Sequence, residues 1–324
     1  MIVVTGGAGF IGSVLVEKLN GLGEKKILIV DQNAKDSPKW NNIRKRSFEG
    51  YLESNEFIAK LEKKELDGKI RAIFHLGACS DTTENDKEFL RKNNSGYSER
   101  IADWAVQNKV YLCYASSAAT YGDGSLGFSD EEALTPRLKP LNLYGQSKLD
   151  SDGWVLKNGH EKRITGFRFF NVYGPNEYHK GPMRSMLHKG FEQIMKNGKM
   201  SLFKSYKKEY ADGGQKRDFI YVKDAVEAMI WFFQNPKWKG IYNLGTGKAQ
   251  SWNELAEALF KACGKPKKIE YVEMPENIKN QYQYFTQADM RKFESTGCPV
   301  KFKNLEESAK DYVQNYLLKP DPSL

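Results

Sequence analysis

Cysteine is scarce: Cys79, Cys113, Cys263 and Cys298 are the only four in 324 residues, too scattered for a disulfide frame and without metal-ligand spacing. His75, His160, His179 and His188 have no H-x-x-x-H-type partner, so no metal site is expected. Long apolar runs are lacking too. The longest, Ala225 to Phe233, contains Glu227 and is far too short to cross a bilayer, so no membrane partner is expected. Met1 runs within five residues into a glycine turn, which leaves no room for a signal peptide. A reducing cytoplasm is therefore the expected location. The sequence also lacks low-complexity tracts, internal repeats and any block of basic residues. Its net charge of +9 is spread over pairs such as Lys25-Lys26, Lys207-Lys208 and Lys267-Lys268. Without a basic stripe or a reading motif, no nucleic-acid partner is expected. The positive excess reads as a solvated surface, one that would suit a diphosphate substrate without demanding it.

What is present is alternation. Ile2-Val3-Val4, Ile27 to Val30 closed by Asp31, Ala72 to Leu76, Val110 to Tyr114 and Ile164 to Phe169 read as strands. Helical patterns such as Ser13 to Leu22 and Glu88 to Asn108 lie between them. Strands buried on both faces read as continuous apolar runs, and strands alternating with helices mean an α/β fold with a doubly wound parallel sheet. Ligands of such sheets gather at the carboxyl ends of the strands, where Asp31, Gly77, Ser117 and Asn171 fall. After Asn171 the alternation breaks down. Asp218 to Val222 and a helix from Asp224 to Asn235 are expected to rejoin the main sheet. From about Tyr242 the chain is mixed, with a helix at Ser251 to Cys263 opened by the capping pattern Ser251-x-x-Glu254. The expected division is a dinucleotide-binding domain over 1–170 and 218–241, and a smaller mixed α/β substrate lobe over 171–217 and 242–324.

The glycine turn is Thr5-Gly6-Gly7-Ala8-Gly9-Phe10-Ile11-Gly12, with Gly6, Gly9 and Gly12 at G-x-x-G-x-x-G spacing. One glycine allows a tight turn, another lets backbone N–H groups approach a pyrophosphate, and the third lets helix pack on strand. The anion then sits at a helix N-terminus, where the amides are unpaired and the dipole favours it. With a strand before, a helix after and Asp31 nineteen residues beyond Gly12, the context is that of a Rossmann-like cofactor domain. Asp31 accepting from the adenosine ribose favours NAD; Lys35 and Lys39 close behind favour its 2′-phosphorylated relative, and the sequence leaves the choice open.

Tyr144 and Lys148, four residues apart, lie on one face of a helix. A cation beside a phenol favours the phenolate, so Tyr144 is expected to work as a base nearer neutrality. Ser116-Ser117 stands at a strand end about 27 residues earlier. Together these are the serine, tyrosine and lysine set of the short-chain dehydrogenase/reductase superfamily, which the chain resembles. The resemblance implies that Tyr144 exchanges the hydroxyl proton, that Ser117 bonds the substrate oxygen, and that Lys148 holds the nicotinamide ribose and tunes Tyr144. His75 reads as a strand-end structural residue, and Cys79 has no evident base beside it. Arg217 is open between two roles: its guanidinium fork matches a diphosphate, and Asp218 next to it offers a structural ion pair.

The chain is further similar to the extended, nucleotide-sugar branch, whose members carry T-G-G-A-G-F-I-G and a later N-V-Y-G-P, present here as Asn171 to Pro175. Gly77-Ala78-Cys79-Ser80-Asp81-Thr82-Thr83-Glu84, Glu177-Tyr178-His179-Lys180-Gly181-Pro182-Met183 and Tyr282-Gln283-Tyr284-Phe285-Thr286-Gln287-Ala288-Asp289 resemble motifs of the ADP-L-glycero-D-manno-heptose 6-epimerase family. The likeness runs from residue 1 to about residue 315. It implies inversion of C6 in an ADP-linked heptose, by removal and return of one hydride through an aldehyde, with NADP preferred and NAD possible. By position, Phe10, Ile11, Asp31, Gln32, Lys39, Leu76, Gly77, Ala78, Cys79, Ser80, Asn93, Lys148 and Val172 match cofactor positions. Asn171, Lys189, Phe203, Lys204, Ser205, Arg217 and Tyr282 match substrate positions, and Lys180 matches a second acid/base across the sugar from Tyr144. Pro182 stands at a substrate position where a hydroxyl residue is common, and Gln32 replaces a common asparagine. The family assembles as homo-oligomers, pentamers or decamers. A UDP-hexose 4-epimerase is the neighbouring reading and needs no base at Lys180. A 4,6-dehydratase would carry an Asp-Glu pair where Ala118-Ala119 stand, and a catalytically idle cofactor sensor would commonly lose Tyr144 or Lys148.

Overall fold

The computed structural model describes residues 1–279 and 282–324. Its strands are, in chain order, β1 (Ile2–Thr5), β2 (Ile27–Asp31), β3 (Gly50–Glu53), β4 (Ala72–His75), β5 (Tyr111–Ser117), β6 (Thr165–Phe169), β7 (Asn171–Tyr173), β8 (Met200–Phe203), β9 (Lys216–Tyr221), β10 (Gly240–Leu244), β11 (Ala249–Ser251) and β12 (Ile269–Val272). Seven form one parallel sheet in the order β10-β6-β5-β4-β1-β2-β3. Alternate residues of these strands face opposite sides. Ile2, Val4, Ile29 and Phe74 therefore pack under the helices Phe10–Gly21 and Val222–Gln234. Val3, Leu28, Val30 and Ile73 pack under Ser54–Glu62 and Gly96–Gln107. This is the doubly wound sheet read from the sequence. The strand order turns back between β1 and β4, which opens a crevice at their carboxyl ends.

A separate apolar cluster lies in a smaller mixed region, where Tyr173, Leu187, Met200, Phe219, Leu259 and Tyr312 pack together. It carries the sheet β11-β9-β7 and the pair β12-β8. The helix Trp252–Cys263 starts with the expected capping box between Ser251 and Glu254.

One strand is placed differently from the sequence reading. The segment expected to rejoin the main sheet, β9, instead pairs with β7 and β11. The main sheet is completed by β10, which pairs with β6 in a segment read only as mixed. Both strands are short, and Phe219 to Tyr221 of β9 is as apolar as β10, so composition does not say which edge each one joins. The helix between them decides it, because it packs on the Phe10–Gly21 face and delivers β10 beside β6. Strand β3 was also not read; its residues are only half-buried and lack a continuous apolar run.

Candidate active site

The carboxyl ends of β1, β2, β4, β5 and β6 border a cleft of about 950 Å³. Gly6, Gly9, Phe10, Ile11 and Gly12 form its floor. Gly6 has φ +65°, and a Cβ there would lie 2.8 Å from the Gly77 amide nitrogen. A Cβ at Gly12 would lie 2.1 Å from the Gly6 carbonyl oxygen, so the turn closes only with glycine at both positions. The helix Phe10–Gly21 begins at Gly9 with no side-chain cap. The first-turn amides of Phe10, Ile11 and Gly12 therefore have no helical partner and face the cleft, which fits a dinucleotide's pyrophosphate. Gly12→Ala is accordingly expected to lower the melting temperature, at a cost of about 1–3 kcal/mol for overpacking, and to reduce the nicotinamide that co-purifies. Thermal denaturation and cofactor extraction check both.

At the end of β2, Asp31 is buried and engaged on both oxygens. Oδ2 accepts from the Ala8 amide (3.0 Å); Oδ1 accepts from the Gln32 amide (2.8 Å) and from Lys39 Nζ (3.1 Å). Asp31 thus braces the glycine turn, and Lys39 offsets its charge at the cleft wall. After β4, Leu76, Gly77, Ala78, Cys79 and Ser80 line the next wall together with Asn93. Burial pushes the Cys79 thiol up, so it is no ready nucleophile. His75 sits between the hydroxyls of Thr5 (2.7 Å) and Ser98 (2.9 Å), and burial, reinforced by Lys148, lowers its pKa to about 3. It is the structural residue expected at that strand end.

Sequence reasoning missed Asn94. Fully buried in a π-helical segment, Arg91–Ser95, it receives the Cys79 amide (2.8 Å) and donates to the Cys79 carbonyl (3.0 Å) and Ser147 Oγ (2.9 Å). This ties the cofactor wall to the helix that carries Tyr144. A break in the helical ladder is frequent at functional sites, but it leaves no mark in local composition.

That helix, Leu143–Lys157, starts at Asn142, whose side chain accepts from the Gly145 amide (2.7 Å). It is pinned to the sheet by Asp152. The buried Asp152 carboxylate accepts from Tyr114 (2.9 Å), Ser116 (2.9 Å) and Arg168 Nε (2.8 Å). A buried pair of this kind is weak evidence for stability, but its directional bonds fix register. One turn back, Lys148 Nζ donates to the Ala115 carbonyl (2.8 Å), and burial, opposed by Asp152, lowers its pKa to about 8. Tyr144, Lys148 and Ser117 all line the cleft, as expected. The phenol differs from the expectation. Burial raises the Tyr144 pKa, with the Ser117 hydroxyl beside it pulling the other way, and Lys148 is not among the groups that lower it. Desolvation outweighs the i, i+4 cation because Lys148 is buried and turned to a backbone carbonyl.

The turn that carries Lys180 borders the same cleft. Lys180, Asn171, Val172 and Lys189 line the cleft. Lys180 Nζ lies 5.3 Å from the centre of the Phe10 ring, and burial lowers its pKa, with Glu177 opposing and Lys189 adding to the effect. Pro182 is exposed and is not a lining residue; its carbonyl accepts from Lys189 Nζ (3.3 Å). Its ring cannot donate, and the turn points it outward.

The remaining positions form a group beside the cleft. Arg217 is buried, with its guanidinium over the rings of Tyr282 (5.1 Å) and Trp252 (5.7 Å). Trp252, which sequence reasoning also missed, lines the cleft and donates to the Tyr282 hydroxyl (2.8 Å). Phe203 stacks edge-on against Tyr282. Lys204 is half-exposed and paired with Glu273 (2.7 Å), while Ser205 bonds within its own loop. The ion pair considered for Arg217 is not formed. Asp218 is engaged by Thr246, Gly247 and Ala288, and among the described residues no carboxylate lies within 4.0 Å of Arg217. A buried guanidinium without an acid suits an anionic ligand.

A family model described as "NAD dependent epimerase/dehydratase family" matches residues 2–245. The chain belongs to this family. Two curated relatives, both called ADP-L-glycero-D-manno-heptose-6-epimerase, come from Nitratidesulfovibrio vulgaris and Fusobacterium nucleatum. They are 49% and 46% identical to it, in each case with all of both chains covered. Among solved structures, the Helicobacter pylori protein of that name is similar at 28% identity, with a TM-score of 0.77 and 97% of this chain and 95% of that one covered. The family's description makes a nicotinamide dinucleotide the cofactor class for this chain.

Proposed function

We propose that this protein inverts C6 of the heptose in ADP-D-glycero-D-manno-heptose to give ADP-L-glycero-D-manno-heptose, a precursor of the lipopolysaccharide core. The observation that carries the reading is that one cleft is lined by two separate acid/base candidates, Tyr144 and Lys180, together with Lys148 and Ser117. Bound nicotinamide supplies a group that takes a hydride from C6 and gives it back, so there is no net redox change. Ser117 holds the C6 oxygen, and one of Tyr144 and Lys180 removes its proton, leaving a ketone at C6 and not the aldehyde expected, because C6 of a heptose is bonded to both C5 and C7. That group turns about the C5–C6 bond and presents its oxygen to the other residue, which returns a proton. Burial lowers the pKa of the Lys180 amine, which makes its proton easier to give up. A 4-epimerase has no use for a second acid/base on that wall.

The cleft walls also support finer parts of the reading. Lys39 paired with Asp31 removes the bare negative charge from that part of the cleft wall, which favours NADP, with NAD accepted. Arg217 with Tyr282, Trp252 and Phe203 is assigned to the nucleotide end of the substrate, and Asn171 and Lys189 to the sugar and its phosphates. On this reading residues 1–170 and 218–241 are principally the cofactor side and 171–217 with 242–324 the substrate side, with β10 as a main-sheet strand. A cytoplasmic homo-oligomer, a pentamer or decamer, completes it. Among the described residues no helix is long and apolar enough to cross a membrane.

The test offers purified protein ADP-D-glycero-D-manno-heptose and, separately, UDP-galactose. Conversion of the first alone is expected. Turnover of UDP-galactose at an equal or higher rate would replace the reading by a 4-epimerase. Extraction of bound cofactor and assay of its 2′-phosphate decides NADP against NAD, and sedimentation gives the subunit number.

A further inference from the structure

Glu177 is fully buried three residues before Lys180, and the reaction described above does not use it. Its carboxylate accepts from the Gly174 amide (3.3 Å), the Ser185 amide, the Ser185 hydroxyl (2.7 Å) and the Tyr312 hydroxyl (3.1 Å). A buried carboxylate is costly unless it is bonded in this way, so the four donors and the acid hold one another. Gly174 and Ser185 bracket the turn that carries Lys180. The Ser185 hydroxyl also caps the helix Met186–Asn197 (3.2 Å to the His188 amide). Tyr312 brings in the helix Leu305–Tyr312, which bonds β7 again through Ser308 and Tyr173.

The other shoulder of the turn is tied to the cofactor floor. The Asn42 side chain donates to the carbonyls of Ala8 (3.0 Å) and Asn176 (3.2 Å) and reaches His179 Nδ1 (3.1 Å). Asn176 donates to Ser13 Oγ (2.9 Å). Lys180 itself forms no ion pair among the described residues, and its amide donates to the Glu177 carbonyl (3.1 Å). The direction of its amine is therefore set by the turn.

We propose that Glu177 is a positioning residue for the reaction: its carboxylate locks the Gly174–Ser185 turn to the Leu305–Tyr312 helix and so holds the Lys180 amine on the cleft wall. This rests on the reading of Lys180 as the second acid/base. Glutamine at 177 keeps the shape but offers an amide donor where donors already converge.

The test is a cycle of Glu177→Gln with Lys180→Met on the full chain with its bound cofactor. Glu177→Gln alone is expected to lower kcat by about 10–100-fold, the scale of a small misplacement of a catalytic group, with KM for the ADP-heptose within about twofold. In the Lys180→Met background it is expected to cost less than about twofold more. A second readout is the pH dependence of acetylation of Lys180 by acetic anhydride, followed by peptide mass spectrometry. Glu177 raises the pKa of Lys180 against burial and Lys189, so the Glu177→Gln profile should move to lower pH. That readout decides the matter when Lys180→Met has no measurable turnover. Equal losses in both backgrounds, or an unmoved labelling profile, would show a packing role only and overturn the proposal. If Glu177→Gln fails to fold, Tyr312→Phe, which removes one of the four donors, is put through both measurements with smaller changes of the same sign expected. A fully active Lys180→Met protein would instead overturn the parent assignment of Lys180.

Discussion

Tyr144→Phe is expected to lower kcat for epimerisation by about 10²–10⁴-fold, the usual contribution of a positioned acid/base group, while the KM and the bound cofactor stay near their wild-type values. The substitution deletes one oxygen from a ring already held in place. Its helix is fixed by Asn142 at the start and by Asp152 against Tyr114, Ser116 and Arg168, none of which contacts the phenol oxygen. Steady-state kinetics with circular dichroism checks the expectation. The pH profile adds a signed test. Burial raises the phenol's pKa and lowers that of the Lys180 amine, and the pair works while it holds one proton between them, so wild-type kcat should fall at high pH as Tyr144 loses its proton, and the phenylalanine protein should lose that falling limb. Retention of both rate and limb would remove Tyr144 from the chemistry.

Lys180→Met is expected to produce a loss of the same order, about 10²–10⁴-fold in kcat, for a different reason. Methionine keeps most of the flexible stem but loses the amine that stands over Phe10, so it cannot give or take a proton. Because each orientation of the C6 group presents its oxygen to a different residue, losing either residue blocks the full cycle. Single-turnover absorbance at the reduced-nicotinamide band separates the two variants. Each should still show reduction of bound cofactor with one C6 epimer and not with the other, and the competent epimer should be opposite in the two proteins. If both variants fail with the same epimer, Tyr144 and Lys180 do not flank the sugar.

Much of the cofactor side was legible because its signals are local. Gly6 has φ +65° and Gly12 is required by its contact with the Gly6 carbonyl, both within the turn, and Tyr144 and Lys148 share a face by helical spacing alone. The lobe was harder to read. The second half of β9, Phe219 to Tyr221, reads as a buried main-sheet strand, and yet β9 pairs with β7 and β11. Arg217 and Asp218 looked like possible partners, but in β9 successive side chains point to opposite faces, so one meets Trp252 and Tyr282 while the other meets Thr246 and Ala288. The phenol's acidity was misjudged because proximity in sequence says nothing of how deeply both groups are desolvated.

Sequence alone determined the class of sheet, the tight glycine turn and the shared helical face of Tyr144 and Lys148, since each depends on residues within a few positions of one another. Only the tertiary structure decided which wall Lys180 occupies, what Arg217 leaves unpaired, and that Glu177 meets Tyr312 from 135 residues away. Those outcomes depend on burial and on partners distant along the chain, and such forces come into being only when the layers pack.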